Sequence, residues 1–154
     1  MDTQNAPDLE ATLAEMQAKC ACYNIRKVAR IVTQLYETIM EPSGLLSTQF
    51  LLLAAIGRVG AANITRLAQV LSMDRTTLTR NLRPLERQGL IEIDAGLDRR
   101  THIARLTEPG RQRIEATLPL WREAQATVIS RFGQNRAAAL MAELQALEEV
   151  VQAP

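Results

Sequence analysis

The chain has 154 residues, 47% of them hydrophobic, with a net charge of +1. That length suffices for one domain with a real core, and the composition excludes a wholly disordered chain. Aromatic residues make up only 3% while Gly and Pro number 7 and 6, which favours long helices packed through aliphatic stripes over a sandwich or barrel.

The first 17 residues form an acidic N-terminal extension, with Asp2, Asp8, Glu10 and Glu15 and no basic residue. It has no apolar core of the kind a secretory signal needs. The longest apolar run, Phe50 to Ile56, is too short to span a bilayer, so the chain is expected to be cytoplasmic, off the membrane and with reduced thiols.

From about Ala18 to Met40 the residues Cys22, Ile25, Ala29, Val32, Tyr36 and Ile39 recur at steps of three and four, which predicts one long amphipathic helix. Glu41, Pro42, Ser43 and Gly44 end it. Ser47 is expected to cap a second, nearly all-apolar helix from Thr48 to about Gly57. Asn63 is a good N-cap for a third, Ile64 to Leu71, and Ser72 and Met73 form a turn. Asp74 caps a fourth, which Gly89 and Leu90 close with a Schellman-type stop. Pro84 removes a bond to the carbonyl of Arg80, so a kink near Arg83 or an early end is expected.

Leu90 to Leu106 reads as a hairpin turning near Gly96. Thr107 caps the next helix, with Pro109 in its first turn, and its apolar face runs to Phe132. After Gly133 a last helix opens at Asn135 with Leu140, Leu144, Leu147 and Val151 in a stripe. The fold class is therefore mainly α, six helices with a small β-hairpin. Residues 18–42 and 107–153 form a helical region that dimerises, and 46–106 a compact unit between them. The terminal helices carry more apolar face than that unit can cover, which favours a two-fold homodimer over an intramolecular bundle.

Residues 75 to 105 hold seven arginines against four acidic side chains, an excess of three positive charges. On the fourth helix Arg75, Thr76, Thr79, Arg80 and Arg83 fall on one face, with Leu78, Leu82 and Leu85 on the other. Arginine forks and threonine hydroxyls are groups that meet base edges and phosphates in a major groove. Arg75 and Arg80 suit base or nearby phosphate contacts, and Thr76, Thr77 and Thr79 suit phosphate or thymine-methyl contacts. At the hairpin tip Asp98 can orient Arg100, with Arg99 beside it, toward a narrow minor groove. The alternatives are a solvated helix face and an ordinary surface ion pair.

The run MDRTTLTRNLRPLERQGLIEIDAGLDRRTHIARLTEPG resembles the winged helix of the MarR family of bacterial transcriptional regulators. The family's Asp-x-Arg pattern, then Leu-Thr and a helix-opening Gly, falls on Asp98, Arg100, Leu106, Thr107 and Gly110. The resemblance extends over nearly the whole chain, and Pro84 departs from the commonest pattern. It implies a triangular homodimer whose recognition helices meet successive major grooves of a pseudo-palindromic operator, with Arg100 in the minor groove supported by Asp98. It further implies a repressor released by a small aromatic or phenolic acid bound between terminal helices and winged helix, where Arg26, Tyr36 and Trp121 are candidate cleft residues.

Cys20 and Cys22 cannot meet if they lie two apart on one helix, and with His102 the only histidine a zinc site within the chain lacks ligands. Cys22 on the apolar stripe is expected to be buried, and Cys20 to lie on the other face. A thiol-based redox sensor through either is the alternative mode of control. No catalytic order of nucleophile and base and no phosphate-cradling glycine loop appears, so neither an enzyme nor a cofactor or metal is expected. A helical protein-interaction module is the alternative of another class.

Overall fold

The computed structural model describes residues 8–95 and 102–152. Among these, seven α-helices and three strands follow in the order α1 Leu9–Lys19, α2 Ala21–Met40, α3 Ser47–Val59, β1 Ala61–Asn63, α4 Ile64–Val70, α5 Arg75–Arg87, β2 Ile91–Ala95, β3 His102–Leu106, α6 Glu108–Phe132 and α7 Gln134–Gln152. The mainly α fold with a small β wing is therefore present, with one helix more than the six expected.

The additional helix is α1, in the acidic N-terminal stretch. Asp8 caps it by accepting from the Glu10 N–H at 3.1 Å. The single long helix expected from Ala18 is instead interrupted at Cys20, whose ψ of 112° leaves helical geometry. The Asn24 side-chain amide donates to Gln17 O at 3.1 Å and to Cys20 O at 2.9 Å, the latter also accepting the Asn24 backbone N–H at 3.1 Å. That side chain-to-backbone bonding competes with the helix ladder, which apolar periodicity alone does not reveal.

Ser47 does not cap α3. Leu46 occupies the cap position, its N–H held by Gln49 Oε1 at 3.0 Å, and Ser47 lies in the first turn. There its N–H and hydroxyl both donate to Glu37 Oε1, at 2.9 and 2.7 Å, which clasps α2 to the start of α3. α3 is not buried on every side: Phe50, Leu52, Leu53 and Ile56 are interior, while Leu51 and Val59 are exposed.

β1 is a strand the sequence reading did not contain. It pairs antiparallel with β3, which pairs antiparallel with β2, giving a three-stranded sheet in the order β1-β3-β2. Ile91 pairs with Leu106 and Ile93 with Ala104. Under the sheet, Leu53 and Ile56 of α3, Leu78, Leu82 and Leu85 of α5, and Ile91 and Ala104 form a core with exposures of 0–1%. α2 runs along α6, beside that core.

α5 ends as its sequence predicts. Gly89 takes φ 68°, its N–H reaches Glu86 O at 2.9 Å, and the Leu90 N–H reaches Leu85 O at 3.0 Å. The helix continues one turn beyond Pro84, to Arg87, so it does not end early. No single helix among the described residues is long and apolar enough to cross a membrane.

Candidate nucleic-acid interface

The turn before α5 is built from backbone bonds. Ser72 adopts φ 50°, with its N–H on Gln69 O at 3.1 Å and the Met73 N–H on Ala68 O at 2.9 Å, so α4 closes as a Schellman turn with serine in the left-handed position. Asp74 then caps α5, its Oδ1 accepting from the Thr77 N–H at 2.8 Å. Hydrogen bonding by the Thr77 hydroxyl and backbone holds the Asp74 carboxyl below its usual range, and the Arg80 guanidinium adds a smaller push in the same direction. The cap fixes where the first turn of α5 starts, and with it the direction of every side chain that follows.

Burial divides α5 cleanly. Leu78, Leu82 and Leu85 are each 0% exposed, and at roughly 2 kcal/mol per buried leucine they anchor the helix to the core. On the opposite face Arg75, Thr76, Thr79, Arg80 and Arg83 together line an open depression of about 340 Å³. Thr79 donates its hydroxyl to Arg75 O at 2.8 Å, which leaves its oxygen lone pairs as acceptors. Thr77 is drawn into the Asp74 cap, is half-buried and does not line the depression. Of the six residues the sequence grouped on α5, five share the open face.

The hairpin base is held by Arg105 and Asp94, whose Nη1 and Oδ2 are 2.8 Å apart across paired strands. Both are roughly half exposed, so the pair contributes little stability and serves alignment. Asp98, Arg99 and Arg100 lie outside the described residues. His102 is exposed at the start of β3.

Of the three residues expected in a ligand cleft, Tyr36 and Trp121 pack against the same core and Arg26 stands apart from them. Tyr36 is half-buried, donates its hydroxyl to Gln125 Oε1 of α6, and has its ionisation pushed up by burial. Trp121 packs on Phe50, ring centroids 6.4 Å apart. Arg26 is exposed on α2 ten residues before Tyr36, about 15 Å away along the helix axis. The cysteine expectation is also corrected. Cys22 is exposed, and Cys20 is half-buried with its sulfur accepting from the Tyr23 N–H at 3.5 Å. The interruption at Cys20 makes Cys22 a first-turn residue of α2, ahead of the part of that helix covered by α6.

The Glu37 clasp was absent from the sequence reading. Its two partners lie ten residues apart across a Pro-Gly turn, and no periodicity links them.

Comparison with known proteins bears directly on this architecture. The sequence model described as the MarR family matches residues 43–101, from the end of the α2–α3 turn to the hairpin. The structure of the Mycobacterium tuberculosis transcriptional regulator MosR in complex with DNA is 38% identical, with a TM-score of 0.76 over 88% of this chain and 100% of that one. The chain belongs to the MarR family. The family and its structural relatives are DNA-binding transcriptional regulators, not enzymes. The HTH-type regulator YwoH of Bacillus subtilis is 26% identical over 93 residues, 60% of this chain and 68% of that protein. A MarR variant from E. coli complexed with operator DNA has the same fold, with a TM-score of 0.78 at 22% identity, over 86% of this chain and 96% of that one.

Proposed function

We propose that this MarR-family regulator is a homodimeric repressor that lays α5 of each protomer in successive major grooves of a pseudo-palindromic operator. One observation carries the reading: Arg75, Thr76, Thr79, Arg80 and Arg83 share a single open face while the leucines behind them are fully buried. Guanidinium forks and hydroxyls carried on one face of a helix suit base edges and phosphates. Arg100 enters the minor groove beside α5, supported by Asp98, with Arg99 beside it. Residues 46–106 form the DNA-binding region, and 18–42 with 107–153 the dimerisation region.

Exposed apolar side chains support the homodimer. Ile25, Val28 and Ile31 on α2 are 41%, 53% and 56% exposed, and Leu140, Met141, Leu144 and Leu147 on α7 are 39–56% exposed. α1 and α7 contain no buried residue, so one chain alone leaves their apolar faces in water. A second copy joined by a two-fold axis covers them. Docking on DNA then requires the two α5 helices about 34–36 Å apart. A small aromatic acid binding beside Tyr36 and Trp121, where α2 and α6 flank the core, releases DNA by favouring another spacing.

Fluorescence anisotropy with a duplex from the protein's own promoter tests the reading. Arg100→Ala weakens binding while leaving the dimer intact, and affinity falls steeply as salt rises because phosphate contacts release counterions. A flat salt dependence favours a protein-interaction module instead.

A second mode of control is favoured by the exposure of Cys22 at the interruption between α1 and α2. Peroxide converts an accessible thiolate to sulfenic acid, with peroxide reduced to water, and the polar product disturbs α1 and α2. Cys22→Ser and Cys20→Ser identify the sensor by making DNA binding resistant to peroxide. Equal inhibition of both variants and the parent removes this reading.

A further inference from the structure

We infer that Ser72, Glu148 and Gln152 latch the C-terminal end of α7 to the turn that starts α5, and so act as positioning residues for the recognition helix. The inference rests on the reading of α5 as the helix that meets DNA. Gln152 Nε2 donates to Ser72 Oγ at 2.9 Å and to Glu148 Oε1 at 3.1 Å, and the Ser72 hydroxyl donates to Glu148 Oε1 at 3.4 Å. The three groups close a triangle in which each hydrogen is donated once and the carboxylate accepts twice as a charged acceptor. Among the described residues no other hydrogen bond joins α7 to the unit of residues 46–106. None of the three lines the open face of α5.

The backbone of Ser72 singles this contact out. Its φ of 50° is the left-handed conformation that glycine adopts without steric cost, and it is the one non-glycine residue with positive φ among the described residues. Closing α4 takes only the backbone N–H groups of Ser72 and Met73, which a glycine would supply equally well. The serine side chain adds nothing to the turn itself, and its hydroxyl is given over to α7. Strain is thus held at the point where two regions of the chain are joined. Two residues on, Asp74 caps α5, so a displacement of the end of α7 acts on the first turn of the recognition helix. The other end of the connection lies on α7. Leu144 stands one turn before Glu148 on the same side of the helix and is 41% exposed, within the apolar face through which the proposed homodimer packs. One side of α7 thus meets the second copy at Leu144 and the α5 turn at Glu148 and Gln152, and the arrangement of the two protomers sets the direction of α5.

Fluorescence anisotropy of the full-length protein with a promoter duplex and a scrambled duplex of equal length reads the latch as the ratio of the two affinities. Glu148→Ala/Gln152→Ala lowers that ratio by about three- to tenfold, the range of a net hydrogen bond, although neither residue lines the open face of α5. Loss of the Glu148 charge acts on both duplexes alike, and the ratio cancels it. Ser72→Gly lowers the ratio equally while melting no lower than the parent, since glycine relieves the left-handed backbone as it removes the hydroxyl. Combining Ser72→Gly with the α7 pair lowers the ratio no further, because all three changes break one network. In the free Glu148→Ala/Gln152→Ala protein, amide NMR shifts move at residues 74–80. Ratios equal to the parent's overturn the inference, as do additive losses or shifts confined to α7. A ratio that falls only in variants that melt lower also overturns it, because the contact then serves stability alone. A parent that binds both duplexes equally fails the reading of α5 instead, and the shifts at 74–80 then decide by themselves whether α7 sets the start of that helix.

Discussion

Gly110→Ala is expected to unfasten the winged helix from α6. Gly110 is buried in the first turn of α6, whose cap is triply tied: the Thr107 N–H reaches Leu90 O at 3.2 Å, the Thr107 hydroxyl reaches Gly89 O at 2.6 Å, and the Gly110 N–H reaches Thr107 Oγ1 at 3.1 Å. A Cβ on Gly110 would stand 2.0 Å from Leu90 O and 3.2 Å from Leu106 Cδ2. Separations below 3.0 Å are not tolerated, so α6 must retreat from the β2 entry by at least 1 Å. The obstacle is backbone, which cannot turn aside as a side chain would. Glycine to alanine ordinarily gains about 1 kcal/mol in a helix, whereas overpacking a rigid interior costs about 1–3 kcal/mol or more. The collision therefore offsets or reverses that gain, for a net loss of up to roughly 2 kcal/mol. Urea unfolding at fixed protein concentration measures it through the midpoint shift. Gly89→Ala is the control, because nothing lies within 4 Å of its Cβ and its only penalty is the φ of 68°. A Gly110→Ala protein as stable as its parent, or more so, refutes the packing argument.

Glu37→Ala leaves the Ser47 N–H and hydroxyl without their acceptor, and the loss of buried hydrogen bonding is expected to cost about 1–3 kcal/mol in urea unfolding, with Glu37→Gln retaining part of it. Asp74→Ala lowers the melting temperature at pH 7 by unfastening α5. Because the folded carboxyl titrates below its unfolded counterpart, that contribution is present above about pH 4 and is lost as the pH falls through the folded value. The gap between parent and variant therefore closes in acid, and a constant gap contradicts the cap's role. Val28→Glu/Leu144→Glu places charges on the exposed apolar faces of α2 and α7, and analytical ultracentrifugation is expected to find monomers; an unchanged dimer moves the interface elsewhere.

Elements whose signals are local were legible in the sequence. Asn63, Asp74, Thr107 and Gly89 occupy the cap and stop positions that their chemistry suggests, and the leucines of α5 are buried at the spacing they display. Long-range features were not. β1 is three residues of Ala-Ala-Asn that become a strand only because β3 lies beside them. The interruption at Cys20 depends on an asparagine that bonds backward to two carbonyls, so both thiols were assigned to the wrong surroundings. Arg26 shares a helix with Tyr36 but not its neighbourhood, because sequence periodicity reports the face of a helix and not the distance along it.

In the proposed function α5 reads DNA sequence through its open face. The most direct measurement is the ratio of affinities for a promoter duplex and a scrambled duplex of equal length, for the parent and for Arg75→Ala/Arg80→Ala. Each base contact contributes about 1–3 kcal/mol of discrimination, so the ratio is predicted to fall by about tenfold or more. The oligomeric state and thermal melting should remain unchanged, since both arginines are exposed. A ratio equal to the parent's, with both affinities merely lowered together, would mean that these arginines hold phosphate alone, and would contradict the assignment of α5 as the reading helix.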